Sequence, residues 1–490
     1  MRTISIMFFK MNKLKLVFSA LLFIVAGEVF AGGLLTNTNQ SAAFLRNPAR
    51  DAAIAIDGVY SNPAGTAFLP QGFHLSFNWQ AAWQKRQMNV ENNLFMMNAD
   101  NQSATRFFEG VAEAPVIPSF QAVYVINDKW SVSGQFAVGG GGGKCEFDNG
   151  LPMFEEMIGG AVYKMNGTSY ALNQSLVGEQ YFYGIQLGGT YKITENLSVF
   201  GGVRGVIASC GYEGAITGIK ANGMTSADYT SLSQQAAGAA QQYAAAAQQY
   251  QAAGLVAEAA AAAQAAAQYE AAAVQAGTAA VMTQDYVLDC SQSGFGVTPI
   301  IGVDWKTGKW NLAAKYEFRT KINLENESVN SANVDALMPA YADGAKVRSD
   351  IPALLTVGAQ YEALSNLRVS AGFHYYWDKD AKGTAIKDGD NTWEALLGVE
   401  YDLNDKIQLS IGSQRTEYGF ADSDMADTNF NISSYALCLG GAYKFNDKMK
   451  LNVGYMHSFY DDHKFTNANG TACNYTRKND VVGIGLDIKF

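Results

Sequence analysis

Charged side chains are scarce in this chain. Asp, Glu, Lys and Arg make up 16% of its 490 residues, where a soluble domain carries about 25%. The 35 Lys and Arg are outnumbered by 45 Asp and Glu. A nucleic-acid binder needs a basic footprint, so no nucleic-acid partner is expected. There are four His and five Cys, with no Cys-x-x-Cys and no His-Glu-x-x-His. No metal site and no cofactor are therefore expected. No Gly-x-Ser-x-Gly setting for a nucleophile occurs, and the chain is not expected to be an enzyme. Long apolar runs are missing too. No stretch beyond the first thirty residues reaches 18 uninterrupted apolar residues, so no transmembrane helix is predicted.

What is abundant is aromatic and small. The chain has 25 Tyr, 27 Phe, 7 Trp and 49 Gly but only 9 Pro. Its mean hydropathy is near zero, which suits alternation of apolar and polar residues. The N-terminus departs from this. Lys10, Lys13 and Lys15 precede the apolar run Leu16 to Ala26, and Val29-Phe30-Ala31 follows. A basic start, a short apolar core and small residues before the cut describe a secretory signal peptide over 1–31. Its removal leaves 31 basic against 44 acidic residues, a net charge of −13.

The remainder reads in steps of two. Val482, Ile484, Leu486, Ile488 and Phe490 alternate with Val481, Gly483, Gly485, Asp487 and Lys489. Period two means a strand whose two faces meet different surroundings. Fourteen such segments are predicted, at 72–83, 117–126, 130–138, 180–193, 197–210, 294–305, 309–323, 351–362, 367–377, 392–403, 406–417, 432–445, 449–460 and 480–490. Six connections are short turns, such as Asn127-Asp128-Lys129 and Asn446-Asp447-Lys448. They alternate with seven long ones. Long loops at one end and tight turns at the other mark an outer-membrane β-barrel. Only a closed barrel lets strands cross lipid with every backbone group paired. Trp83, Trp377 and Trp393 fall at loop ends; Trp130, Trp305 and Trp310 fall at turn ends, as two interfacial girdles require. Only Trp79 falls mid-strand. The competing reading is a large soluble β-sandwich or propeller.

Residues 32–70 do not alternate. They hold Ser41-Ala42-Ala43-Phe44-Leu45-Arg46-Asn47-Pro48-Ala49-Arg50 and then Tyr60-Ser61-Asn62-Pro63-Ala64-Gly65. A fourteen-strand lumen is too wide for its own side chains to fill, so this segment is read as a plug. The barrel proper is 71–490. The mature Gly32-Gly33 start, Asn37-Thr38-Asn39-Gln40-Ser41-Ala42, Ala53-Ile54-Ala55 leading to Asn62-Pro63-Ala64-Gly65, and the Gly-rich end of the third strand are ordered in a specific way. Together they resemble, across the whole mature chain, the FadL family of outer-membrane long-chain fatty-acid and aromatic-hydrocarbon transporters. The Arg50-Asp51-Ala52 entry to the plug resembles a Bacteroidetes branch. The resemblance implies a hatch domain, a hydrophobic capture site among extracellular loops, and a kinked third strand that opens the wall.

Specific expectations follow from the residues. Gly139-Gly140-Gly141-Gly142-Gly143 should weaken pairing and create a lateral gap, or else serve as a flexible lead-in to a loop. Asn62, Pro63, Ala64 and Gly65 are expected to contact the wall near that gap and act as the gate, or to be only a turn into the first strand. Lys379, Lys382 and Arg204 are the candidate carboxylate anchors, against a mutually neutralising lattice of lumen charges. Residues 233–283, almost wholly Ala and Gln, are predicted to form two surface helices broken at Gly254 and Gly277. Cys210 and Cys290 bracket that longest loop on successive strands and are placed to bridge it. The expected partners are a hydrophobic small molecule and the lipid and lipopolysaccharide of the outer membrane. The expected form is a monomer with both termini in the periplasm. The runner-up function is a surface adhesin or structural barrel.

Overall fold

The computed structural model describes residues 39–383 and 386–490. The predicted signal peptide and residues 32–38 of the plug lie outside them. Fourteen antiparallel strands close into a barrel. They are β1 (Gly72–Glu91), β2 (Thr105–Val125), β3 (Trp130–Phe147), β4 (Tyr170–Lys192), β5 (Leu197–Ala221), β6 (Tyr286–Thr307) and β7 (Trp310–Glu317). The second half is β8 (Leu354–Leu364), β9 (Leu367–Tyr376), β10 (Trp393–Asp402), β11 (Ile407–Glu417), β12 (Ser434–Asn446), β13 (Met449–Tyr460) and β14 (Ala472–Lys489). Three short segments, Asn323–Ser328, Lys346–Arg348 and His463–Thr466, carry the ladder further at the loop end. Closure comes from β1, which pairs with both β2 and β14.

The alternation sets what each face meets. Outward residues such as Ile185, Leu187, Val203, Ile207, Phe295 and Leu397 are exposed and apolar, as a lipid-facing band requires. Trp130, Trp305 and Trp310 are exposed at the turn end; Trp83 is exposed too, but β1 runs on to Glu91, so it lies mid-strand rather than at the loop end. Inward positions are polar or small. The inward glycines make room for the plug: a Cβ at Gly454 would lie 2.6 Å from the Ala42 carbonyl oxygen, and one at Gly358 would lie 2.5 Å from the Asp51 Cβ.

Above the aromatic band the loops carry helices. Two Ala/Gln-rich helices, α4 (Ser226–Ala252) and α5 (Val256–Met282), form a hairpin, following α1 (Ala42–Arg46), α2 (Gly58–Ser61) and α3 (Pro152–Lys164) in the chain. The break falls at Gly254, whose φ of +78° favours glycine. Gly277 does not break a helix. It lies inside α5, where a Cβ would approach the Ser233 Oγ to 3.3 Å, so it serves close helix packing instead. Tyr243 and Tyr269 stack at 5.4 Å across the hairpin, and α4 buries no residue. Replacing residues 234–276 by a short Gly/Ser linker is expected to leave heat-modifiable gel migration and the barrel's melting temperature unchanged.

Candidate functional site

Residues 39–70, the described part of the segment expected to be a plug, cross the lumen as a string of short helical turns. Ser41 caps α1 by accepting the Phe44 N–H at 3.1 Å. Two arginines then tie the plug to the wall. Arg46 meets Glu400 of β10 at 2.9 Å, and Arg50 meets the same Glu400 at 3.0 Å. Arg50 also holds Asp57 through two bonds of 2.7 and 2.9 Å. Burial disfavours the Asp57 charge, yet the Arg50 guanidinium holds that carboxyl below its usual range. Asp51 lies 3.1 Å from His374 of β9, which in turn bonds Glu394 at 2.8 Å. The plug is thus held by a buried, paired charge lattice.

The wall is not uniformly paired. β2 and β3 pair from Val125↔Ser131 to Phe120↔Phe136, and again only at Val111↔Glu146. Between these points the two strands share no ladder. The β2 side of the gap carries Pro115 and Pro118, which have no N–H to donate. A bulge between Gln80 and Ala82 of β1 displaces the same stretch. The β3 side carries Gly139 to Gly143, with Gly141 at φ +100° and Gly143 at φ +70°. Trp79 stands beside the gap and donates its indole N–H to the Pro115 carbonyl at 3.0 Å.

The plug reaches this gap with Gln40. Its side-chain amide donates to the Val138 carbonyl at 2.6 Å and accepts the Val138 N–H at 3.1 Å. One side chain thereby replaces the strand partner that β3 lacks. Ser119 of β2 donates to the Gln40 carbonyl at 3.2 Å. A cavity of about 660 Å³ lies here. It extends from Leu45, Arg86 and Arg477 in the lumen to Pro115 through Pro118 and Gly140, Gly141 and Gly143 at the wall.

A second, smaller cavity of about 80 Å³ opens among the loops at the loop end. It is lined by Met153, Phe154 and Met157 of α3, by Tyr212 and Ile216 of β5, and by Val334, Leu337 and Met338 around α6 (Ala332–Leu337). Their spacing on α3 is that of an amphipathic helix. Glu155 on the other side of α3 is buried and fixed by Tyr170 at 2.8 Å and Asn98 at 3.1 Å. Thr428 lines this groove, and its carbonyl accepts from Arg86 at 3.4 Å. The loop 418–433 therefore stands between the two cavities.

Some expected site residues lie elsewhere. Gly139 to Gly143 are at the gap. Asn62, Pro63, Ala64 and Gly65 are not: Asn62 donates to the Val303 carbonyl at 3.2 Å and to Asp304 at 3.0 Å on β6. The Pro63 carbonyl accepts from Thr190 of β4, and Ala64 packs on Phe200 and Ile300. The plug enters the gap with its other end, because α1 leads in beside β14 and β1. Lys379, Lys382 and Arg204 line neither cavity. Arg204 is buried against Glu317 at 2.7 Å, and Lys379 lies 3.7 Å from Asp390. Cys210 and Cys290 are free and buried. Cys210 faces Gln292 and Cys290 faces Tyr212, so the pair is diagonal, about 7–8 Å apart and beyond ordinary disulfide reach. Gln40, Pro115, Pro118, Arg86, Arg477 and the α3 methionines were not singled out by sequence. The two prolines interrupting alternation at 115 and 118 were the available signal.

The fold has known counterparts. The fold is that of the FadL-type outer-membrane barrels. A FadL homologue from Pseudomonas aeruginosa has a similar structure, with a TM-score of 0.62 at 12% identity, covering 94% of this chain and all of that one. The toluene transporter TodX of P. putida gives 0.53 at 14% identity, covering 89% of this chain and 94% of that one. The toluene transporter TbuX of Ralstonia pickettii gives 0.51 at 12% identity, covering 93% and 99%. Residues 251–434 match the model of the outer membrane protein beta-barrel domain. No curated protein sequence matches the chain.

Proposed function

We propose that this protein carries small hydrophobic molecules across the outer membrane, without covalent chemistry and as a monomer. The loop end faces the outside and both termini face the periplasm. A solute lodges first in the apolar groove at Met153, Phe154 and Met157. It passes the loop 418–433 into the larger cavity and leaves sideways between β2 and β3. Lateral exit suits an oily cargo because it never enters bulk water. The single observation that carries this reading is that the larger cavity runs from the lumen to an unpaired stretch of wall.

Gln40 is the gate in this reading, since it fills the missing edge of β3. Proteoliposomes and a fluorescent C16 fatty acid test the function; protein-dependent transfer is expected, and its absence for this and for toluene would reject uptake. The groove has its own test. Met157→Glu puts a charge into an apolar surface and is expected to weaken binding of a neutral lipophilic dye about tenfold or more. An unchanged affinity would place capture elsewhere.

A further inference from the structure

The outward face of the barrel carries a basic row just past the end of β7. Phe318, Arg319, Thr320 and Lys321 lead there into the short ladder of Asn323–Ser328 against Lys346–Arg348. Ile322 and Leu324 are fully buried in a cluster with Tyr212, Tyr341 and Tyr376, so Lys321 and Asn323 face outward. Arg348 is the register partner of Asn323 and shares its face. Directly below lies a patch of aromatic belt. Tyr316 packs on Phe318 at 4.8 Å and on Trp377 at 5.6 Å, and Tyr375 packs on Trp377 at 5.0 Å. Such aromatics mark the depth where hydrocarbon gives way to lipid head groups. The basic row therefore stands at head-group level.

Its charge is only partly answered. Asp350 accepts from Arg348 at 3.2 Å and lies 3.8 Å from Arg319. Its own side chain is fully covered, while those of Arg319 and Arg348 are each 32% exposed. A guanidinium has five N–H donors, so one carboxylate leaves most of the two forks free for a further acceptor. Asp350 also accepts the Lys382 N–H at 3.2 Å, which holds exposed Lys382 against the row. Among the described residues Lys321 has no carboxylate partner. The exposed acid beside the row is Asp380, whose carbonyl accepts from Arg319. Other outward charges differ. Lys85 of β1 meets Glu109 at 2.9 Å, and on β5 and β6 Glu213 stands opposite Asp289. A basic surplus at one place is thus a local feature of a chain with a net charge of −10.

We propose that Arg319, Lys321 and Arg348, with Lys382 beside them, seat the phosphates of a lipid A molecule of the outer leaflet, whose acyl chains lie against Tyr316 and Phe318. Guanidinium forks match phosphate oxygens, and the belt below offers the apolar surface that the chains require. β7 to β9 lie across the barrel from β2 and β3, so the bound lipid leaves the wall gap clear. The proposal takes from the uptake reading only the outward loop end, and it stands whether or not a solute is carried.

The whole mature chain in non-ionic detergent is titrated with lipid A bearing both phosphates, with dephosphorylated lipid A and with phosphatidylglycerol, and bound lipid is counted by native mass spectrometry. Diphosphorylated lipid A is expected to bind about tenfold or more tightly than the dephosphorylated form, with the preference shrinking as salt rises. The R319Q/K321Q/R348Q variant is expected to lose that tenfold while keeping heat-modifiable migration. K321Q, which breaks no ion pair, is expected to lose about threefold and decides the matter if the triple variant fails to fold. K85Q/K478Q, on β1 and β14, is expected to bind as the wild type does. Equal binding of the two lipid A forms would overturn the seat, as would an equal loss in K85Q/K478Q. Phosphatidylglycerol binding as tightly as lipid A, or inorganic phosphate displacing lipid A at millimolar concentration, would make the row a general anion surface and overturn it too. Protease cleavage of the α4–α5 hairpin on intact cells checks the outward loop end separately.

Discussion

Ala114→Trp is expected to cut uptake of a fluorescent C16 fatty acid at least tenfold, roughly 1.4 kcal/mol at the limiting step. Ala114 lines the larger cavity immediately before Pro115, where β2 has left β3. An indole brings about 150–250 Å² of surface into the lining that joins lumen to gap. The barrel should tolerate it, because Ala114 keeps its ladder with Ala82 of β1. Binding of a neutral dye at the Met157 groove should not change. Initial uptake rates in cells, with heat-modifiable migration as the folding control, decide the matter. Unchanged uptake would mean that solute does not pass this stretch of wall.

Glu400→Gln has the second large effect. Glu400 is the shared acceptor for Arg46 and Arg50, with Arg368 at 3.6 Å. Removing one member of a buried charge network leaves the others uncompensated, at a cost of about 3–5 kcal/mol. The plug is expected to loosen. Small sugars should then leak through proteoliposomes, and residues 39–70 should become sensitive to added protease. Replacing Arg46, Arg50, Asp57 and Glu400 together by apolar residues of similar volume removes the whole network and should recover much of the closure. A Glu400→Gln protein as tight as wild type would show that packing of Phe44 and Leu45 alone holds the plug.

Much of the architecture was legible because lipid imposes a strict period of two. Each of the fourteen predicted segments overlaps a barrel strand. Their loop-end boundaries were placed short: β2 begins at Thr105, β4 at Tyr170 and β6 at Tyr286. Above the aromatic band the outward face no longer meets hydrocarbon, so its residues need not be apolar and the alternation fades. The glycine run at 139–143 was readable since glycine itself weakens a ladder. Its partner face was not, because Pro115 and Pro118 look like the end of a strand when read locally. They lie within β2, where the bulge opposite Ala81 and the absent β3 partner remove the need for their N–H groups.

Asn62 through Gly65, expected beside the gap, lie away from it for a different reason. Asn62-Pro63-Ala64-Gly65 has strong turn chemistry, and the structure uses it as a turn against β4, β5 and β6. Gln40 carries no local signal, since a glutamine amide becomes a strand surrogate only when a strand edge is left open beside it. Arg86 and Arg477 are nearly four hundred residues apart in sequence and become neighbours only on closure of β1 onto β14. The lattice reading of the lumen charges holds for Arg204, which is neutralised by Glu317.

Lateral exit between β2 and β3 is tested most directly by photo-crosslinking during uptake. Cells expressing the protein are given a diazirine-bearing C16 fatty acid, illuminated, and the adducts mapped by mass spectrometry. Adducts at Pro115 through Pro118, at Gly139 through Gly143 and at Tyr181 and Tyr183, which line the same cavity, are the predicted result. Adducts running instead past Asn62 and Asp304 to the turn end, with none at the gap, would contradict it.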